Sequence, residues 1–313
     1  MSNGAEVPTG PPAVAEGVGN QMTGHLIHIG YPKTGSTFLQ RWFKANPQLA
    51  YAVGALAGFP SVGYIVKEGA TGPRRVSHRV TSEEGLSMPR SHPWQPPSLD
   101  LAEAQAEVCG MLAGLFPDAR ILLVTRGFRS MIRSVYAEWV RRGLDLGIAD
   151  FCARMAETTG GDLLDYDHLI SLYQQAFGAD RLLILPYELL RDDPVAFIRE
   201  LERWLGLDHF PPDPARVNPA ISAHELYWFP RIARVARSLP VPGGLKRRLR
   251  DNYHVLAEKL RLRRGLRLIG RFRPDLRVTE ETIPDDYVEA CRGKAERLRG
   301  LALFEPYAED YLL

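Results

Sequence analysis

The densest chemistry in the chain lies in Gly30-Tyr31-Pro32-Lys33-Thr34-Gly35-Ser36-Thr37. Two glycines and a proline impose a tight turn, and within it sit one ammonium group and three aliphatic hydroxyls. A turn of this kind after a buried strand aims successive backbone N–H groups at one point. The N-terminus of a following helix adds its dipole, and together they hold an anion. Gly35 lets the backbone come close to that anion, Lys33 adds a positive charge, and Ser36 and Thr37 add O–H donors. The spacing differs from the triphosphate loop GxxxxGK[ST], where a lysine follows the second glycine and a metal-binding hydroxyl follows the lysine. Here Ser36 follows Gly35 directly and the lysine lies inside the turn. That order suits a single phosphate bearing a group to be transferred, without Mg²⁺, and disfavours a small-molecule kinase.

Such a loop needs a strand before it and a helix after it, and the flanking residues supply both. Residues 25–30 (HLIHIG) form a short apolar run, and 37–43 suit an amphipathic helix stopped near Asn46-Pro47. Residues 48–98 are rich in Gly, Pro and Ser, with a short strand expected around Val76–Val80. They read as substrate-binding loops, and Tyr51, Phe59, Tyr64 and Trp94 would line an acceptor pocket. A regular rhythm follows: helix over 100–115, buried strand over 120–125 (RILLVT), helix over 128–142, helix over 162–177, buried strand over 181–185 (RLLIL) and helix over 194–205. Apolar strands alternating with helices predict a three-layer α/β/α fold with a central parallel sheet, related to the P-loop architecture. Basic residues crowd the C-terminal third, among them Lys246, Arg247, Arg248, Arg250, Lys259 and Arg261, on expected amphipathic helices. The domain reading is a flexible leader over 1–22 and a single domain over 23–313. Its core spans about 25–220 and a helical extension about 221–313.

Composition narrows the function classes. The chain has 313 residues, 45% hydrophobic and 24% charged, the profile of an ordinary globular protein. A formal net charge of +2 does not call for a nucleic-acid partner, although local anion sites remain open. Cys109, Cys152 and Cys291 are far apart with no CxxC pair, so they predict buried thiols rather than a zinc site or disulfide framework. No apolar run approaches the roughly 18 residues of a spanning helix. Residues 1–20 lack the basic and apolar regions of a secretory signal. The expectation is a soluble, cytoplasmic protein.

At this level of detail the chain resembles the bacterial branch of the PAPS-dependent sulfotransferases, PAPS being 3′-phosphoadenosine 5′-phosphosulfate. YPKTGST is similar to the family's 5′-phosphosulfate loop, so the resemblance implies that Lys33, Thr34, Gly35, Ser36 and Thr37 hold the 5′-phosphosulfate. Phe38 stands where relatives place an aromatic residue near the adenine. Arg126 and Ser134, eight residues apart in TRGFRSMIRS, resemble the pair that binds the 3′-phosphate. Gly127-Phe128 replaces the usual Asp/Asn-Pro between them, and Arg129 and Arg133 are chemically similar decoys. An arginine at the C-terminal end of a strand and a serine in the next helix can reach one phosphate. Tyr187, in LPYELLRDDP, matches a tyrosine that contacts the adenine. The resemblance covers about residues 25–220.

Sulfuryl transfer to an alcohol also requires a group to take the acceptor's proton. The candidates between the loop and the second helix are Glu83, Glu84, His78 and His92. Residues 82–87 (SEEGLS) resemble the S-x-E-x-L-S element of bacterial relatives, which selects Glu84, with His78 or His92 as the alternatives. A carboxylate partly shielded from water beside Lys33 suits a general base. The function implied is an enzyme moving a sulfuryl group from PAPS to a hydroxyl of a small-molecule, glycan or lipid acceptor. No metal is expected, and PAP (3′-phosphoadenosine 5′-phosphate) is the product. The competing class is a non-catalytic nucleotide- or anion-binding protein whose basic C-terminal helices dock an acidic partner or surface.

Overall fold

A computed structural model of the protein describes residues 24–58, 76–89, 100–159, 164–213, 221–238 and 272–312. The leader, Phe59, Tyr64, Trp94, His92 and the basic run 246–267 lie outside the described residues.

Five strands form one parallel sheet: β1 (Gly24–His28), β2 (Leu49–Ala50), β3 (His78–Ser82), β4 (Arg120–Thr125) and β5 (Leu182–Pro186), in the order β2-β3-β1-β4-β5. Around it lie α1 (Ser36–Ala45), α2 (Leu101–Leu115), α3 (Phe128–Arg141), α4 (Ile148–Thr159), α5 (Tyr166–Phe177), α6 (Tyr187–Asp192), α7 (Pro194–Leu205), α8 (Ala223–Ser238), α9 (Asp285–Glu289) and α10 (Ala308–Tyr311). The three-layer expectation from the alternating strands and helices is met.

The sheet is apolar on both faces because its residues alternate between two cores. Ile27, Ile121 and Leu123 point into one, with Leu112 of α2, Met131 and Tyr136 of α3, and Leu169 and Tyr173 of α5. Leu26, Leu122 and Val124 point into the other, with Leu39 and Phe43 of α1 and Phe197, Ile198 and Leu201 of α7. Each such side chain, fully buried, is worth about 1.5–3 kcal/mol, which is why β4 carries no polar position between Ile121 and Val124. The described C-terminal residues join the first core through Val278, Ile283, Val288, Leu298, Phe304 and Tyr311. Cys109, Cys152 and Cys291 are free and buried, and burial pushes their thiols up to about 11, 12 and 11 respectively. Among the described residues no helix is long and apolar enough to cross a membrane.

The helices after β1 and β4 lie on opposite faces: α1 packs in the second core and α3 in the first. Two adjacent parallel strands whose following helices diverge leave a crevice at their C-terminal ends. The 30–37 loop and the Arg126 turn, which follow these two strands, both lie at that crevice.

Candidate functional site

The loop after β1 turns sharply because two of its residues adopt the left-handed region, Lys33 at φ 72° and Gly35 at φ 86°. At Gly35 the backbone conformation favours glycine, and the space above it is occupied. Its φ disfavours any side chain, and an added Cβ would lie 2.3 Å from Leu190 Cδ2. Gly35 is the N-cap of α1, which has neither a side-chain cap nor an acid in its first turn. The helix therefore presents uncapped N–H groups and the positive end of its dipole to the loop. Thr34 is fully buried and spends its hydroxyl on Tyr31 O, so it braces the turn. Ser36 is buried, Thr37 is exposed, and Phe38 packs against the second core.

Residues 82–87 are fastened at one end to β1 and α1 and at the other to this loop. Ser82 Oγ is 2.9 Å from His28 Nδ1 and accepts from Gln40 Nε2 of α1 at 3.3 Å. Ser87, fully buried, has its Oγ 3.0 Å from Glu84 O and 3.3 Å from Gly30 O, while its own carbonyl accepts from Gln105 of α2 at 2.7 Å. Between these anchors a 3-10 turn, Glu84–Leu86, brings Glu84 to the loop, where its carboxylate accepts a hydrogen bond from Ser36 Oγ. Glu83 instead faces solvent and accepts from Gly85 N–H in its own turn. His78 lies four residues before Ser82, about 13 Å away at the rise of a strand, against Gly24 at the opposite end of the sheet. Burial and the nearby Arg120 hold its imidazole down at about 4. The structure brings Glu84 to the loop and His78 away from it.

Lys33 points across the crevice to α3. Its Nζ donates to Glu138 Oε2 at 3.1 Å, and Arg142 and Arg141 reach the same carboxylate at 3.1 and 3.7 Å. Burial alone would push Glu138 up. The Lys33 charge and hydrogen bond, with Arg142 and Arg141, outweigh it and hold the carboxyl below its ordinary value.

Arg126 leaves the end of β4 and joins the two motifs, donating from Nη1 to Lys33 O at 2.8 Å. Its Nε donates to Ser130 Oγ at 2.7 Å, and its guanidinium lies over the Tyr187 ring at 4.3 Å. Burial lowers its pKa, opposed by Tyr187 and Glu188, and a guanidinium stays charged regardless. Ser134, half-buried, is one turn further along α3 than Ser130, on the same face. The α3 hydroxyl that Arg126 bonds directly is that of Ser130. Arg129 and Arg133 turn away to the C-terminal segment: Arg129 bonds Asp285 at 2.6 Å and Arg133 bonds Val278 O at 3.4 Å.

Three residues were not singled out from the sequence. Ser130 and Glu138 continue the four-residue spacing 126, 130, 134, 138, a legible signal once α3 is placed. Glu188 is completely buried and accepts from Gly127 N–H at 3.1 Å and Ser130 Oγ at 3.4 Å. Among the described residues no cluster of three or more His, Cys, Asp or Glu is arranged to hold a metal. The donor set fits two anionic groups: one at the loop and the α1 N-terminus with Lys33, the other at Arg126 with the α3 hydroxyls. Tyr187, half-buried, lies beside both, next to Gly35 on one side and under the Arg126 guanidinium on the other.

Residues 103–212, about a third of the chain, match the model of the sulfotransferase family. That span includes Arg126, Ser130, Ser134, Glu138, Tyr187 and Glu188, and begins after the loop and Glu84. Among solved structures, a sulfotransferase from Alicyclobacillus acidocaldarius is 16% identical, with a TM-score of 0.43 over 63% of this chain and 86% of that one. Mouse sulfotransferase SULT7A1, complexed with PAP, is 16% identical, with a TM-score of 0.34 over 67% of this chain and 63% of that one. No curated protein matches the chain.

Proposed function

We propose that this chain, whose residues 103–212 match the model of the sulfotransferase family, transfers a sulfuryl group from PAPS to a hydroxyl of a small-molecule, glycan or lipid acceptor. The observation that carries the reading is the meeting of two anion-binding motifs in one crevice, joined by the bond from Arg126 to the Lys33 carbonyl. One phosphate site alone would suit many ligands. Two, flanking an aromatic ring at a strand-order switch, suit an adenosine carrying phosphate at both the 5′ and 3′ positions.

In this reading the loop amides, Lys33, Ser36 and Thr37 hold the 5′-phosphosulfate. Arg126, with Ser130 and Ser134, holds the 3′-phosphate, and Tyr187 meets the adenine. Glu84 takes the proton of the acceptor hydroxyl as its oxygen bonds to sulfur and the bond from sulfur to the bridging oxygen breaks. Lys33 meets the negative charge that collects on the leaving phosphate, a contact stronger in the transition state than before it. Two exchanges prepare the site: Lys33 leaves Glu138 for the donor, and Glu84 leaves Ser36 for the acceptor. The products are a sulfate ester, PAP and a proton.

The donor class is tested by ligand-dependent unfolding. At a hundred-fold excess over Kd, PAP stabilises a folded protein by about 2.7 kcal/mol and raises the melting temperature of a chain this long by roughly 4 °C. ATP–Mg²⁺ leaves it near the unliganded value. The reverse ranking contradicts the proposal.

A further inference from the structure

The turn that presents Arg126 has little of its own to hold it. Gly127 contributes no side chain, and Arg126 must keep its reach toward a ligand while the next residues start α3. Its rigidity comes from elsewhere. The buried Glu188 carboxylate grips it from below, with Oε1 accepting from Gly127 N–H and Ser130 Oγ. Tyr166 donates its hydroxyl to Arg126 O. The third grip comes from 185 residues further along the chain, in α10.

Tyr311 of α10 is 2% exposed and donates to the other oxygen of Glu188, Oε2, at 2.6 Å. Its hydroxyl also accepts from Thr125 Oγ1 at 3.4 Å, the last residue of β4. The ring is wedged among Phe128, Tyr166 and Phe304, with centroids 6.4, 6.1 and 5.2 Å away. Its neighbour Asp310 lies against Gly127 so closely that a Cβ there would sit 2.5 Å from Asp310 Cβ. The backbone of Gly127, at φ −52°, is open to any residue, so this contact alone demands glycine.

We propose that Glu188 and Tyr311 are positioning residues for the Arg126 turn. Through them α10 sets how strongly the site prefers a 3′-phosphorylated adenine nucleotide to one without that phosphate. The inference rests on the assignment of Arg126 to the 3′-phosphate. Glu188 has three polar contacts to distribute and is completely buried. Removing the Tyr311 hydroxyl leaves Oε2 without its donor, and a buried carboxylate in that state recruits the donors nearest to it. Those donors belong to the turn, so Arg126 and Ser130 shift while the loop at 30–37 does not.

The test compares binding of PAP and of adenosine 5′-phosphate, which lacks the 3′-phosphate, by calorimetry, with thermal unfolding measured in parallel. Tyr311→Phe is expected to weaken PAP by about five- to thirty-fold, less than the loss of a hydrogen bond to a charged group, because the Arg126 contact is displaced and not removed. Adenosine 5′-phosphate should stay within about two-fold of wild type. Gly127→Ala, which displaces Asp310 but keeps both Tyr311 and Glu188, should show the same selectivity and decides the matter if Tyr311→Phe does not fold. Arg126→Ala is the control. If it is selective for PAP while the other two variants bind both ligands as wild type, or lose both equally, the positioning role is overturned and the 3′-phosphate assignment stands. If Arg126→Ala itself shows no selectivity, the assignment falls and the positioning role falls with it.

Discussion

Lys33 already has a carboxylate 3.1 Å away in the free protein, so its charge reaches a donor only in exchange for Glu138. Both side chains are 29% exposed, a depth at which such an exchange is open to solvent and inexpensive compared with breaking a dry pair. On the proposed reading Lys33→Ala lowers turnover at least about a hundred-fold, the usual cost of one transition-state charge contact, and weakens PAP less. Steady-state rates and PAP calorimetry on the same variant check both halves, and normal turnover would remove Lys33 from the chemistry. Arg126→Ala acts on the donor alone. A hydrogen bond to a charged group is worth about 1.5–3 kcal/mol, so PAP affinity should fall roughly ten-fold to more than a hundred-fold. The loss for adenosine 5′-phosphosulfate, which has no 3′-phosphate, should be smaller, and equal losses would assign Arg126 another role.

At the scale of elements, the site is the product of a strand order. β1 and β4 lie side by side, their helices diverge, and the loop, the Glu84 turn and the Arg126 turn all end at the same edge. The same strands carry an acid sensitivity. His25 and His28 on β1 and His78 on β3 are held down from 6.5 to about 4 by burial, with Arg79 beside His25 and Arg120 beside His78. The unfolded chain therefore binds more protons than the folded one between those values. Their contribution to stability is fully present above pH 6.5 and is lost as pH falls toward about 4. Melting temperature should fall through that window, and His28→Asn should make the fall shallower; an unchanged slope would mean that His28 does not titrate there.

Much of this was legible beforehand. RILLVT was read as β4 to the residue, because a strand covered on both faces has no polar position to blur its ends. The serines of residues 82–87 were matched by resemblance, and their role as fasteners of the Glu84 turn required the packing of α1 and α2. α4 was not anticipated: its buried stripe is only Phe151, Cys152 and Met155, too thin to stand out. Ser134 was selected by its eight-residue spacing from Arg126, and the direct bond from Arg126 to Ser130 shows only in the tertiary position of that arginine. Glu138 owes its place to Lys33, 105 residues earlier, which no local pattern records.

Over the whole molecule, net charge is close to balanced while basic residues concentrate in the C-terminal third. If Lys246, Arg247, Arg248 and Arg250 draw in an anionic acceptor or surface, their attraction is screened beyond about 10 Å in 0.1 M salt. Replacing all four by Gln should then raise the acceptor's KM at low ionic strength and leave PAPS affinity unchanged. The difference should shrink as salt is added, and unaltered acceptor kinetics at every salt concentration would leave these residues as a solvated face. The described C-terminal residues have a firmer role. Arg129 and Arg133 tie residues 278–285 to α3, and Tyr311 reaches the Arg126 turn, so the last segment of the chain bears on a site built by the first. The claim that joins these parts is that the crevice moves a sulfuryl group rather than merely holding a nucleotide. It is tested most directly by incubating the protein with PAPS and a panel of phenols, sugars and lipid alcohols, and weighing the products. The account predicts that at least one alcohol gains the mass of SO₃ with PAPS as donor. It further predicts that ATP–Mg²⁺ gives no corresponding phosphate ester, and that Glu84→Gln binds PAP normally but forms the sulfate ester at least about a hundred-fold more slowly. Tight PAP binding with no product from any alcohol, or full activity in Glu84→Gln, would contradict it.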